Sequence, residues 1–171
     1  VFSRLEPLIK DIEFLIQNSS TGKIIRDGIK TVIVGKPNVG KSSLLNSLIK
    51  EDKAIVTEIS GTTRDLVEAE LNLNGLLIKL IDTAGIRDTS DFIESIGIEK
   101  TKKAISESDL ILLVLDQSDH LTELDFQLLD LTKDKRRILV GNKVDLGTRA
   151  ELENENVISV SAKKNIGLDK L

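Results

Sequence analysis

Apolar residues fall into two alternating kinds of pattern along the 171-residue chain. Runs at Thr31–Val34, Leu76–Ile81, Leu110–Leu115, Ile138–Val140 and Val157–Val160 read as strands buried on both faces. Between them, apolar positions recur at helical spacing in Ser42–Ile49, Ile96–Glu107 and Thr122–Leu131, the last capped by Thr122. Leu66–Leu73 partly alternates, and Asn74-Gly75 after it is a strong hairpin signal, so this segment pairs antiparallel with Leu76–Ile81. At the start, positions 2, 5, 8, 9, 12, 15 and 16 are apolar and share one helical face. That helix either breaks at Asn18–Gly22 or runs on through Ile24 and Ile25, and Gly28 ends it. Strands alternating with helices predict an α/β domain with a mostly parallel six-stranded sheet, one antiparallel edge strand and helices on both faces. Ligands of such a sheet sit at the carboxyl ends of its strands.

Composition sharpens this. Hydrophobic content is 40% but aromatic content only 2%, so the core must be Leu, Ile and Val. The length suits one domain with a short extension. There is no cysteine, hence no disulfide and no thiolate metal site, which leans toward the cytosol. No apolar run reaches membrane-spanning length and no signal peptide is found, so a cytoplasmic protein without a membrane partner is expected. A net charge of −4 argues against a strongly nucleic-acid-binding domain. The start at Val1, the lack of any Met and the end within Gly167–Leu171, which reads as the first turn of a helix, lead us to expect a piece of a longer polypeptide.

Candidate chemistry lies where strands end. Gly35-Lys36-Pro37-Asn38-Val39-Gly40-Lys41-Ser42-Ser43 fits the phosphate-binding loop G-x-x-x-x-G-K-[ST], between an expected strand and an expected helix. Its backbone N–H groups and the helix N-terminus would cradle phosphates, Lys41 would reach the β- and γ-phosphates, and the Ser42 hydroxyl would ligate Mg²⁺. Asp82-Thr83-Ala84-Gly85 follows the hairpin, where Asp82 can hold Mg²⁺ through water and the Gly85 N–H can meet a γ-phosphate. Asn142-Lys143-Val144-Asp145 follows another strand. The Asp145 carboxylate matches the N1–H and N2–H₂ donors of guanine, a pair adenine lacks, while Asn142 and the Lys143 stem would brace the base. Ser161-Ala162-Lys163 could offer a backbone N–H to guanine O6. His120, Glu51-Asp52-Lys53 and Lys133–Arg137 read as surface groups.

Together with Gly61-Thr62-Thr63-Arg64-Asp65, these are the five G motifs of the translation-factor-like GTPases. Over nearly its whole length the chain resembles the G domain of the MnmE (TrmE) family of tRNA-modification GTPases. The phosphate loop and Gly61–Asp65 are shared with Era-like and Der-like ribosome-assembly GTPases. Asp82–Lys100, whose Ile93–Lys100 resembles the MnmE family's second switch and following helix, and the leading helix with Gly22 and Ile25-Arg26-Asp27-Gly28 tilt the choice to that family.

The resemblance implies a Ras-like P-loop G-domain fold over 28–165, with 1–27 a helix from a neighbouring helical domain and 166–171 the start of a helix returning to it. GTP contacts are then expected from Asn38, Val39, Gly40, Lys41, Ser42, Ser43, Thr57, Glu58, Ile59, Ser60, Gly61, Thr62, Thr63, Asp82–Gly85, Asn142, Lys143, Asp145 and Ser161–Lys163. Thr63 would complete the Mg²⁺ shell with Ser42. Asn38, the backbone of Thr57 and Ile59, and Thr62 would hold K⁺, and Glu94 would position water. Ile86 stands where water-activating GTPases place a Gln, and neither Arg64 nor Arg87 is an obvious arginine finger, so a cation would have to offset the charge between phosphates. The resemblance further implies pairing of two G domains, an MnmG-like partner and modification of a tRNA wobble uridine, with Asn38, Lys41, Thr63 and Glu94 as the catalytic set. Its rivals are a ribosome-assembly GTPase and a non-hydrolysing, nucleotide-gated interaction module.

Overall fold

The apolar runs become strands because leucine and β-branched side chains pack well on a pleated surface covered from both sides. The computed structural model of the chain describes residues 26–50, 67–73, 75–82, 94–148 and 156–171. They contain β1 (Ile29–Val34), α1 (Lys41–Lys50), β2 (Val67–Leu73), β3 (Leu76–Asp82), α2 (Glu94–Glu107), β4 (Leu110–Asp116), α3 (Glu123–Thr132), β5 (Arg137–Asn142) and β6 (Val157–Ser159). Short 3-10 turns at Val144–Leu146 and Leu168–Lys170 follow β5 and β6.

The strands form one sheet in the order β2-β3-β1-β4-β5-β6. β1 pairs parallel with β3 and β4, β4 with β5, and β5 with β6. β2 runs antiparallel to β3 at the edge, as the hairpin signal predicts. Gly75 takes φ +90 in that turn, and its N–H donates to Asn72 Oδ1 at 2.8 Å. Asn74 lies outside the described residues.

A period of two divides the strands between two cores. Ile33, Leu112, Val114 and Val140 pack with Leu44 and Leu45 of α1 on one face. Val32, Val34, Ile111, Leu113, Leu115 and Leu139 pack with Ile105 of α2 and Leu128 of α3 on the other. Ile111 through Leu115 are each at most 5% exposed, so β4 is the strand most fully enclosed by both layers. Among the described residues no aromatic side chain is buried, Phe126 being 58% exposed, and the core is aliphatic as the composition requires.

Several elements run further than apolar patterning alone suggests. β4 ends on Asp116 and β5 on Asn142, because their backbones stay in register (Asp116 opposite Asn142) even where the side chains turn polar. At the chain's start, Arg26 and Asp27 are helical and Gly28, at φ +81, reverses direction into β1. The helix expected over 2–17 lies outside the described residues. Leu168–Lys170 makes a 3-10 turn, and Leu168, 4% exposed, joins the core that α1 covers.

Leu113 is 0% exposed in the second core. Leu113→Ala should lower unfolding free energy by about 3 kcal/mol in urea titration, the lost transfer term plus the cavity left behind. A loss under about 1 kcal/mol would contradict β4's place at the centre.

Candidate nucleotide site

Parallel pairing brings the strands' carboxyl ends to one edge. Ile33 pairs with Asp82, Asp116 with Asn142, and Gly141 with Ser159, so the carboxyl ends of five strands lie on one edge, and among the described residues turns follow four of them. The first is the phosphate loop. A Cβ at Gly35 would run into the Val114 carbonyl, and one at Gly40, where φ is +93, into the Asn142 amide. Both positions need glycine for the loop to lie this close to the sheet. Asn38 is exposed in a left-handed conformation at φ +65, and Val39 beside it is wholly buried and anchors the loop.

Lys41 begins α1. Its ammonium donates to the carbonyls of Gly35 and Lys36, both at 2.9 Å, and so folds back over the loop. Helical bonding starts with the Leu44 N–H meeting Gly40 O at 2.9 Å. The N–H groups of the first turn therefore have no acceptor within the helix and carry its positive partial charge. Ser42 and Ser43 are exposed at this end.

Asn142 joins this loop to the others. It is 3% exposed; its Nδ2 donates to Val39 O at 2.8 Å, and its Oδ1 accepts the Ala162 N–H at 3.0 Å. Ser47, buried on α1, donates through Oγ to Ala162 O at 2.7 Å. Ala162 is thus held from both sides, by the end of β5 and by the helix that follows the phosphate loop. Beyond Asn142, Lys143 takes φ +66 and the Val144 N–H bonds Val160 O at 3.1 Å. Asp145 is exposed in the turn so formed. Ser161 is buried and closes a small antiparallel bridge with Ile166, while Lys163 is exposed.

Lys143 pairs with Asp116 at the end of β4. Asp116 Oδ1 also accepts the Ser118 N–H at 3.0 Å and its hydroxyl at 2.6 Å. Burial works against the charged carboxylate, but the hydrogen bonds from Lys143 and Ser118 outweigh it and hold the carboxyl below its ordinary range. The lysine expected to brace a base is thereby fixed along the sheet edge.

Oxygen donors dominate the metal-capable positions. The Ser42 hydroxyl stands at the start of α1, and Asp82 ends β3 beside the end of β1. Among the described residues no group of three or more His, Cys, Asp or Glu could hold a metal. A hydroxyl at an anion cradle, next to a strand that ends on an aspartate, suits Mg²⁺, which needs few protein oxygens once phosphate oxygens complete its shell.

Other expected site residues lie outside the described residues: Thr57, Glu58, Ile59, Ser60, Gly61, Thr62, Thr63, Arg64, Asp65, Thr83, Ala84, Gly85, Ile86 and Arg87. Glu94 opens α2, and the described structure does not extend to its side chain or to that of Asp82. Asp116 and Ser47 escaped the sequence reading. A signal for Asp116 existed, since a carboxylate directly after a buried parallel strand sits on the ligand edge. For Ser47 the signal was a hydroxyl among the apolar positions of α1.

The model of the family described as 50S ribosome-binding GTPase matches residues 30–143. The tRNA modification GTPase MnmE of Aquifex aeolicus is 49% identical over the whole chain, and that of Enterococcus faecalis 53% identical over 94% of it. The chain spans only 39% and 36% of those two proteins. Among solved structures, Aquifex aeolicus Era bound to GDP and aluminium fluoride aligns with 83% of this chain and 54% of its own, at 30% identity and a TM-score of 0.60. The G domain of Thermotoga maritima FeoB aligns with 83% of this chain and 92% of its own, at 27% identity and a TM-score of 0.57.

Asp116 carries a pH signature. Its folded value lies below its unfolded one, so its stabilising contribution is complete above the ordinary carboxylate range and is lost as pH falls through the folded value. Asp116→Asn should be less stable than the parent at pH 7, and the gap should narrow below about pH 4 in urea titrations at stepped pH. A gap that stays constant with pH would contradict the charge pairing.

Proposed function

We propose an MnmE-like role from the premise that this chain belongs to the GTPase family matched over residues 30–143. It is a GTPase domain, and guanine nucleotide with Mg²⁺ is what such a domain handles. The proposal is that it hydrolyses GTP within a protein that modifies the wobble uridine of tRNA together with an MnmG-like partner. The similarity to two MnmE proteins at about half identity supports this reading over ribosome assembly. tRNA and partner binding are assigned to the part of those proteins' length that this chain does not span. The protein is proposed to work in the cytoplasm, and among the described residues no helix is long and apolar enough to cross a membrane.

One observation carries the nucleotide assignment. Through Asn142, the phosphate loop at Val39 and the Ser161–Lys163 loop at Ala162 become one continuous rim. On that rim, the N–H groups of Asn38–Ser43 and the ammonium of Lys41 bind phosphates. Asp145 reads guanine, with Lys143 and Ser161–Lys163 flanking the base. Ser42, with Thr63 and, through water, Asp82, would hold Mg²⁺, which would supply positive charge to the phosphate oxygens. Asn38, exposed at the loop's apex, holds K⁺ with the carbonyls of Thr57 and Ile59 and with Thr62. Bound there, K⁺ would supply the positive charge toward the phosphates that a guanidinium supplies in other GTPases. Glu94 orients the attacking water. Pairing of two G domains through the switch segments completes the K⁺ cage and sets the rate.

Single-turnover GTP hydrolysis in K⁺ should be at least about tenfold faster than in Na⁺ at equal ionic strength. Equal rates would remove the cation assignment, and a Glu94→Ala variant keeping the full K⁺ rate would remove the acid's role. No hydrolysis in either salt, with GTP still bound, would favour the nucleotide-gated module. Asp145→Asn should weaken GTP binding by at least about tenfold while leaving ATP binding weak, because a carboxylate accepting two donors is replaced by a group that presents one donor to them. An unchanged preference for GTP over ATP by calorimetry would refute the base-reading role.

A further inference from the structure

The phosphate-loop pattern places no demand on residue 36, yet the lysine there is committed inward. Lys36 Nζ lies 2.8 Å from Asp125 Oδ2, with the two side chains 15% and 0% exposed. Asp125 belongs to the first turn of α3 and is itself held. Its Oδ2 accepts the Thr122 N–H at 2.8 Å and the Thr122 hydroxyl at 2.7 Å, which close the helix cap. Its Oδ1 is buried with no hydrogen-bond partner among the described residues. A buried carboxylate with one oxygen unpaired is costly to keep, so its retention invites a role other than packing.

The backbone supplies that role. The Lys36 carbonyl accepts the Lys41 ammonium, as does that of its neighbour Gly35. A short chain of bonds therefore runs from the α3 cap through Asp125 and the Lys36 side chain to the carbonyls that aim Lys41. α3 packs on the face of the sheet opposite α1. The loop is consequently anchored from both layers, by its own helix on one side and by the ion pair on the other.

We propose that Asp125 is a positioning residue of the nucleotide site, acting through Lys36 to hold the Gly35–Lys36 carbonyls and thereby the Lys41 ammonium over the phosphates. The inference rests on the reading of residues 35–43 as the phosphate loop. Without the pair, this turn keeps its glycine contact with Val114 but loses its side-chain tether, so Lys41 samples positions away from the β-phosphate. Small misplacements of such a group are expensive.

The test uses the full chain with a fluorescent GDP analogue, reading its release rate beside the melting temperature of the nucleotide-free protein. Lys36→Met should speed release by about tenfold, and Lys36→Arg, which keeps a cation in reach of Asp125, should hold the parental rate. The double variant Lys36→Met/Asp125→Asn removes both charges. It should melt closer to the parent than either single variant does, because no buried charge is left unpaired, while its release stays fast. A double variant that recovers melting temperature and release together would reduce the pair to a structural contact and overturn the proposal. So would parental release from Lys36→Met, or release from Lys36→Arg as fast as from Lys36→Met. A parent that binds no GDP analogue would overturn the phosphate-loop reading along with this inference.

Discussion

Two hydrogen bonds made by one buried side chain decide whether this sheet edge is a site or a set of separate turns. Asn142 donates to Val39 and accepts from Ala162, residues that are 103 and 20 positions away in sequence. Neither group has water to turn to, so breaking either bond leaves a buried polar atom unsatisfied, at a cost of about 1–3 kcal/mol. The glycine at position 40 follows from the same contact, since a side chain there would collide with the Asn142 amide. The generic motif credits this asparagine with bracing a base. Its geometry gives it an earlier task, that of holding the loop at Val39 and the loop at Ala162 at a fixed separation.

Around that latch three lysines are tied down. Lys41 is bound to loop carbonyls, Lys143 to Asp116, and Lys36 to Asp125. A lysine loses considerable side-chain entropy when it binds a ligand, and one already held loses less at that moment. The two sheet faces contribute separately. α1 presents its N-terminus at the sheet edge, and α3, across the sheet, reaches the same loop through the buried Asp125 carboxylate.

The fold was legible because its signals are local. Continuous apolar runs separated by helical periodicity predicted the parallel sheet, and the Asn-Gly pair predicted the antiparallel edge, where Gly75 does take a positive φ. The turn between β1 and α1 was equally legible, since its glycine spacing reports backbone constraints rather than distant partners. Contacts between residues far apart in sequence were not. Ser47 meets Ala162 across 115 positions and Lys36 meets Asp125 across 89, and no periodicity or motif links either pair. Residue 36 illustrates the limit well. Sequence alone makes it an unconstrained position of a loop, and only the packing of α3 against the same sheet turns it into a buried anchor.

If the latch is what makes the site, its removal should be felt by the ligand more than by the fold. The decisive measurement is the GDP dissociation constant of Asn142→Ala in the presence of Mg²⁺, with Asp145 and the phosphate loop left intact. The account predicts a loss of at least about 2 kcal/mol, roughly thirtyfold, in a protein that still unfolds cooperatively. A dissociation constant within twofold of the parent's would show that the loops hold their separation without Asn142 and would contradict the account.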